Sequence, residues 1–182
     1  MSGPWLRRFL SATAAALIVG FVGAAGAGPA LAEPPYRLDS QISDPAGALS
    51  PADEADLAAA QDQLNAAQGI QLWVSYVDTF EGMSGEEWTT ETAQLSGFGG
   101  NDMLFAVAIE DRAYGYSVAQ DMPVTDAQLE DMMGSVEQLL SDGDWGGAAT
   151  ELANMLADPS GSTGGSSGGP TASVLPWLLG GA

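Results

Sequence analysis

The chain has 182 residues, with four arginines, no lysine, histidine or cysteine, 24 aspartates and glutamates, and a formal charge of −20. Without Cys or His it offers no disulfide, no thiolate or imidazole metal site, no cysteine nucleophile and no Ser-His-Asp triad. So few cations exclude a nucleic-acid partner, because phosphate neutralisation needs Lys or Arg. Chemistry falls to carboxylates, hydroxyls, amides, backbone dipoles and, if a metal is used, Ca²⁺ or Mg²⁺.

From the N-terminus, Arg7 and Arg8 precede an uncharged stretch, Phe9 to Ala32, that ends Ala30-Leu31-Ala32. A basic start, an apolar middle and a small-x-small end predict a secretory signal peptide over residues 1–32, cut after Ala32. An uncleaved anchor is the other use of so long an uncharged stretch. After cleavage only Arg37 and Arg112 stand against all 24 acids. Most of that surplus reads as a solvated surface, one that attracts cations and repels acidic lipid. Residues 33–41 form a short N-terminal segment before the folded domain, 42–158.

Ser50-Pro51-Ala52-Asp53 predicts a helix start, with a hydroxyl N-cap, Pro at the first position and acids in the first turn. Leu57 and Leu64 lie on one face, and Gly69 ends the helix. Ile70 to Val77 is dense in β-formers and predicts a strand that runs out at Asp78-Thr79. Ser84-Gly85-Glu86-Glu87 is a capping box that opens a second helix through Trp88 and Leu95. A glycine-rich loop, Gly97 to Asp102, leads into Met103 to Ile109, an unbroken apolar run expected as a central strand buried on both faces. Glu110-Asp111-Arg112 turns the chain into Tyr114 to Val118, the partner strand of a hairpin. Thr125 to Gln128 is a third capping box, followed by Leu129, Met132, Met133, Val136, Leu139 and Leu140 at helical spacing. A last helix is expected from about Asp144 to Leu156.

The order helix, strand, helix, strand, strand, helix, helix predicts an α/β fold, a three-layer sandwich with a small mixed β-sheet flanked by helices. Beyond it, residues 159–171 are a Gly/Ser-rich linker. Residues 172–182 form an apolar tail that is too short to span a bilayer and reads either as a frayed tail or as the start of a truncated membrane helix.

No acid is diagnostic alone. The loop before Met103 lacks the Gly-x-x-x-x-Gly-Lys-Ser/Thr pattern, and a strand rather than a helix follows it, so it is not a phosphate cradle. Asn101 and Asp102 remain candidate oxygen ligands. Asp78 would lie at the carboxyl edge of the sheet if the two helix-flanked strands are parallel, where ligands of open α/β sheets tend to bind. Asp44 opens the turn Asp44-Pro45-Ala46-Gly47. Each of these acids has an ordinary role as a turn or strand-end residue. Arg112 is the one cation deep in the domain and a candidate anion contact.

The pieces also resemble the TPM domain family, which includes thylakoid-lumen acid phosphatases and photosystem-repair factors. Residues Ile42-Ser43-Asp44-Pro45-Ala46-Gly47-Ala48-Leu49-Ser50 resemble the family's opening turn, and Gly69 to Val74 its first long strand. Gly97-Phe98-Gly99-Gly100-Asn101-Asp102-Met103-Leu104 through Arg112 is similar to its most specific motif, and Gly143 to Ala148 to the turn before its last helix. Two departures stand out: the motif's second Asn is Asp102 and its Gly is Met103. The resemblance implies weak acid phosphatase activity, as in plant members, or divalent-cation binding, as in some bacterial ones. On that basis Asp44, Asn101 and Asp102, with Asp78 by geometry, are the expected metal ligands. The expected protein is an exported, extracytoplasmic binding or assembly module, secreted or anchored at the cell envelope. Its expected partners are an envelope protein and Ca²⁺ or Mg²⁺; the alternative is a metal-dependent acid phosphatase.

Overall fold

The computed structural model describes residues 33–119 and 122–159; the expected signal peptide, the linker beyond Pro159 and the tail lie outside them. The elements are β1 (Ile42–Ser43), α1 (Pro51–Gln68), β2 (Gln71–Val77), α2 (Gly85–Ser96), β3 (Asp102–Ala108), β4 (Ala113–Val118), α3 (Asp126–Asp142) and α4 (Trp145–Ala157). The sheet order is β1-β2-β3-β4. The first three strands are parallel and β4 returns antiparallel to β3. This is the expected α/β sandwich with one added strand, β1.

Helix starts follow the caps. Ser50, Ser84 and Thr125 each form a complete capping box, with the residue three positions on bonding back to the cap nitrogen. Gly69, Gly97 and Gly143 close their helices in the left-handed conformation, which glycine adopts without steric cost. None of the four described helices carries a basic residue in its last turn.

Strand alternation divides the sheet into two faces. Leu72, Val74, Tyr76, Met103, Phe105 and Val107 point into the main core, where Leu57 and Leu64 of α1, Met132 and Val136 of α3, and Leu152 and Leu156 of α4 meet them. Met103, standing where the family motif has Gly, sits in an ordinary strand and is fully buried there. The opposite face presents Val77, Ala106 and Ala108 to Phe80 and to Trp88 of α2.

α2 can lie this close because Gly85 and Gly115 meet backbone to backbone: a Cβ on either would overlap the other's main chain. Residues 33–41 then run along α2 as a strap. The Trp88 Nε1 donates to the Glu33 carbonyl at 2.9 Å. Tyr36 packs edge-on against the Trp88 ring, and its hydroxyl bridges those of Ser43 and Ser75. Leu38 is buried, with its N–H donating to the Ser96 hydroxyl.

The crossovers β1-α1-β2 and β2-α2-β3 move in the same direction across parallel strands, yet α1 and α2 lie on opposite faces. The two connections therefore have opposite hands, so one departs from the right-handed preference.

Candidate functional site

Parallel pairing sets where each candidate stands. Gln71 pairs with Asp102 and Val77 with Ala108. Asn101 and Asp102 are thus at the edge where the parallel strands begin, and Asp44 and Asp78 at the edge where they end. Seven residues of β3 separate the two edges, about 20 Å at ~3.3 Å per residue. The four residues expected as one cation site are two pairs at opposite ends of the sheet.

At the opening edge, Asp102 holds its own loop. One carboxylate oxygen accepts the Gly99 N–H at 2.6 Å and the other the Trp73 indole N–H at 3.1 Å. The Trp73 ring stacks on Phe98, with centroids 4.8 Å apart. The Asn101 carbonyl accepts the Gln71 N–H, which aligns the start of β2 with the loop. Beside this pin lies a groove of about 250 Å³ between α2 and the end of β4, with Thr90, Gln94, Phe98, Asp102 and Ser117 among its walls. Leu95, an apolar position of the expected helix, is 54% exposed, because α2 buries Trp88, Thr89 and Thr92 instead.

At the carboxyl edge, both Asp44 oxygens are engaged, accepting the N–H groups of Ala48 and Leu49 at 2.9 Å each. This fixes the approach to α1. Asp78 continues the ladder beyond β2, its carbonyl accepting the Glu110 N–H. Asp111 accepts the Phe80 N–H at 2.7 Å and so ties the β3–β4 turn to the loop after β2. Arg112 closes that turn at φ 49°, a conformation non-glycine residues seldom adopt. It lines a pocket of about 190 Å³ with Leu140, Asp142 and Trp145, away from the Asp102 groove, and has no ion-pair partner among the described residues.

Two further acids belong to this edge, Asp53 and Asp144. With Asp44 they act electrostatically on the Tyr76 hydroxyl, which donates to the Trp145 carbonyl at 2.8 Å. Burial, reinforced by these three negative charges, pushes the Tyr76 phenol well above its usual range. Asp53 caps α1 through the Ser50 N–H and Asp144 caps α4 through the Gly147 N–H. Bonding to Ser50 lowers the Asp53 carboxyl, and bonding to Ser84 lowers that of Glu87. In sequence Asp53 and Asp144 read only as first-turn and cap residues; the packing of α1 on α4 brings them together. Among the described residues no three carboxylates converge in metal-binding geometry.

Comparison with known proteins agrees with this architecture. The family model of the TPM domain matches residues 42–158. The chain belongs to the TPM domain family. It is 40% identical over 130 residues to the UPF0603 proteins Rv2345 and MT2410 of two Mycobacterium tuberculosis strains, a match covering 70% of this chain and 20% of each relative. The chain thus spans about a fifth of the length of these curated relatives. Among solved structures, the N-terminal domain of the cg2496 protein from Corynebacterium glutamicum superposes with a TM-score of 0.60 at 33% identity, covering 79% of this chain and 95% of that one. An N-terminal domain from P. gingivalis shares the fold, with a TM-score of 0.58 at 15% identity, covering 64% of this chain and 79% of that one.

Proposed function

We propose that this TPM domain is exported and works at the cell envelope as a binding and assembly module, tethered through its Gly/Ser linker and apolar tail. The observation that carries the binding reading is the groove between α2 and β4. Its volume, about 250 Å³, falls below the usual range for small-molecule sites. A carboxylate, an aromatic wall and short hydroxyl and amide side chains suit a few residues of a protein partner. Export draws support from the packing, which engages Glu33, the first residue after the expected cut.

Photo-crosslinking tests the groove. A crosslinker at Thr90 is expected to trap a discrete envelope protein, whereas one at exposed Asp62 on α1 is not. Equal trapping from both positions removes the groove from the reading.

A divalent cation at the carboxyl edge is a second reading, suggested by the three acids whose charge reaches Tyr76, Asp44, Asp53 and Asp144; it requires these carboxylates to move, because no three acids among the described residues stand in metal-binding geometry. Calcium titration followed by NMR is expected to shift the residues around these three acids and to leave the Asn101–Asp102 loop in place. Uniform weak shifts would mean a diffuse ion atmosphere.

The phosphatase alternative needs a carboxylate beside Arg112. The length of β3 keeps Asp102 away from it; Asp78 shares its edge of the sheet, whereas the acid lining the same pocket as Arg112 is Asp142. Hydrolysis of nitrophenyl phosphate with Mg²⁺ at pH 5, abolished by Asp78→Asn, would favour that alternative over the binding reading.

A further inference from the structure

The two edges of the sheet are finished differently. Beyond β2 the outward backbone groups are taken up. The Val74 N–H donates to the Gln41 carbonyl, the Tyr76 carbonyl accepts the Ala46 N–H, and the Leu72 carbonyl accepts the Gln61 side chain. At β4 the edge stays open. The Ala119 N–H donates to the Asp102 carbonyl, one step beyond the pairing of Val118 with Met103. Hydrogen-bonded and non-bonded pairs alternate in an antiparallel ladder. Ser117, Gly115 and Ala113 therefore bond to β3, while the N–H and C=O groups of Tyr114, Tyr116 and Val118 point away from it. The Tyr114 carbonyl abuts Gly85 of α2. Among the described residues nothing pairs with the outward groups of Tyr116 and Val118. Tyr116 is itself 37% exposed. Such an edge is a template for one more strand.

Both helices beside this edge are acidic. On the α2 side, Thr90 and Gln94 wall the groove next to Ser117 and Val118, and they also wall an adjoining depression lined by Glu86, Glu87 and Glu91. On the α3 side, Glu137 accepts the Tyr114 hydroxyl, and Asp126 and Glu130 share its helical stripe. Burial, reinforced by the charges of Asp126, Glu130, Glu86 and Glu137, raises the Tyr116 phenol above its ordinary value. Neither described arginine answers these acids: Arg37 pairs with Asp39, and Arg112 lines the pocket beside Trp145.

That charge selects the occupant. A second copy would set acids against acids, and this chain's own tail carries no charge after Asp158. Side chains of an added strand, about 4.8 Å beyond β4, would turn alternately toward α2 and α3. Lysine and arginine are long enough to meet the acids on both sides. We propose that β4 accepts a basic, extended peptide segment as an added strand, bonded to the backbone of Tyr116 and Val118 and flanked by the acids of α2 and α3. The inference rests on the groove reading above and names the chemistry of its partner.

The probe is a synthetic peptide of lysine, arginine and threonine, about six residues long, the usual length of a strand. In an NMR titration of the protein it should shift the Tyr116 and Val118 amides and slow their hydrogen exchange. N-methylation throughout the peptide backbone keeps every charge and removes the donors, and it should weaken binding about tenfold. Glu86→Gln with Glu130→Gln should weaken binding about threefold to tenfold, whereas Asp56→Asn with Asp62→Asn on α1 should leave it unchanged. Equal binding of the N-methylated peptide, or equal loss from both pairs of substitutions, reduces the attraction to the general charge of the surface and overturns the added strand. Protection of these amides that rises with protein concentration, without peptide, makes the occupant a second copy and overturns the basic partner. A protein trapped from Thr90 while the peptide leaves Tyr116 and Val118 unmoved sinks this inference alone. No trapping and no peptide response sink the groove reading with it.

Discussion

The two faces of the sheet are stabilised in different ways. Beneath α1, α3 and α4 lies a continuous layer of Leu, Val, Met, Phe and Tyr, packed by three amphipathic helices. Beneath α2 the sheet offers Leu104, Val77, Ala106 and Ala108, a thinner apolar layer, and the fit also depends on a glycine-to-glycine approach, one tryptophan and the strap. Burial spread over many side chains tolerates small losses. A face centred on Trp88 concentrates its stability in one residue that also anchors Glu33 and Tyr36.

That contrast is open to direct tests. Trp88→Ala should cost about 3–5 kcal/mol from the lost ring and cavity, and should also release the strap. Hydrogen exchange should show faster amides at residues 36–38 while α1 and α4 keep their protection. Leu152→Ala in the main core should cost about 2–5 kcal/mol in denaturant unfolding with the strap amides unchanged; loosening of the strap here too would remove the distinction between the faces. Gly115→Ala should cost about 1–3 kcal/mol or more, because its Cβ overlaps the Gly85 backbone and α2 must lift. Asp44→Ala strands the Ala48 and Leu49 N–H groups and should cost about 1–3 kcal/mol.

The smallest expected effect concerns acid. Asp53 and Glu87 have lowered folded pKa values, so their stabilisation is present above the unfolded pKa and is lost as pH falls through the folded one. Asp53→Asn should flatten the acid limb of the stability curve slightly. An unchanged limb would mean that the cap is already replaced by solvent.

Much of the fold was legible because its signals are local. Ser50, Ser84 and Thr125 specify their helix starts within four residues, and the unbroken run from Met103 announces a strand covered on both sides. β1 was not legible: two residues carry no period, and only pairing of Ile42 with Val74 makes them a strand. The candidate site was legible in its residue types but not in its grouping. Nothing local shows that Asp102 spends its carboxylate on Gly99 and Trp73, or that Asp44, Asp53 and Asp144 all act on the Tyr76 hydroxyl. Those facts depend on strand direction and helix packing, which join residues far apart in sequence.

The helix ends carry a consequence for the solvent. All four described helices present acidic or hydroxyl caps at their starts and no basic residue in their last turns, so the negative end of each dipole meets a surface already rich in carboxylates. Dissolved ions must then screen what side chains in most proteins would balance. Raising ionic strength should therefore firm this molecule, the reverse of what is expected for a protein held together by surface ion pairs.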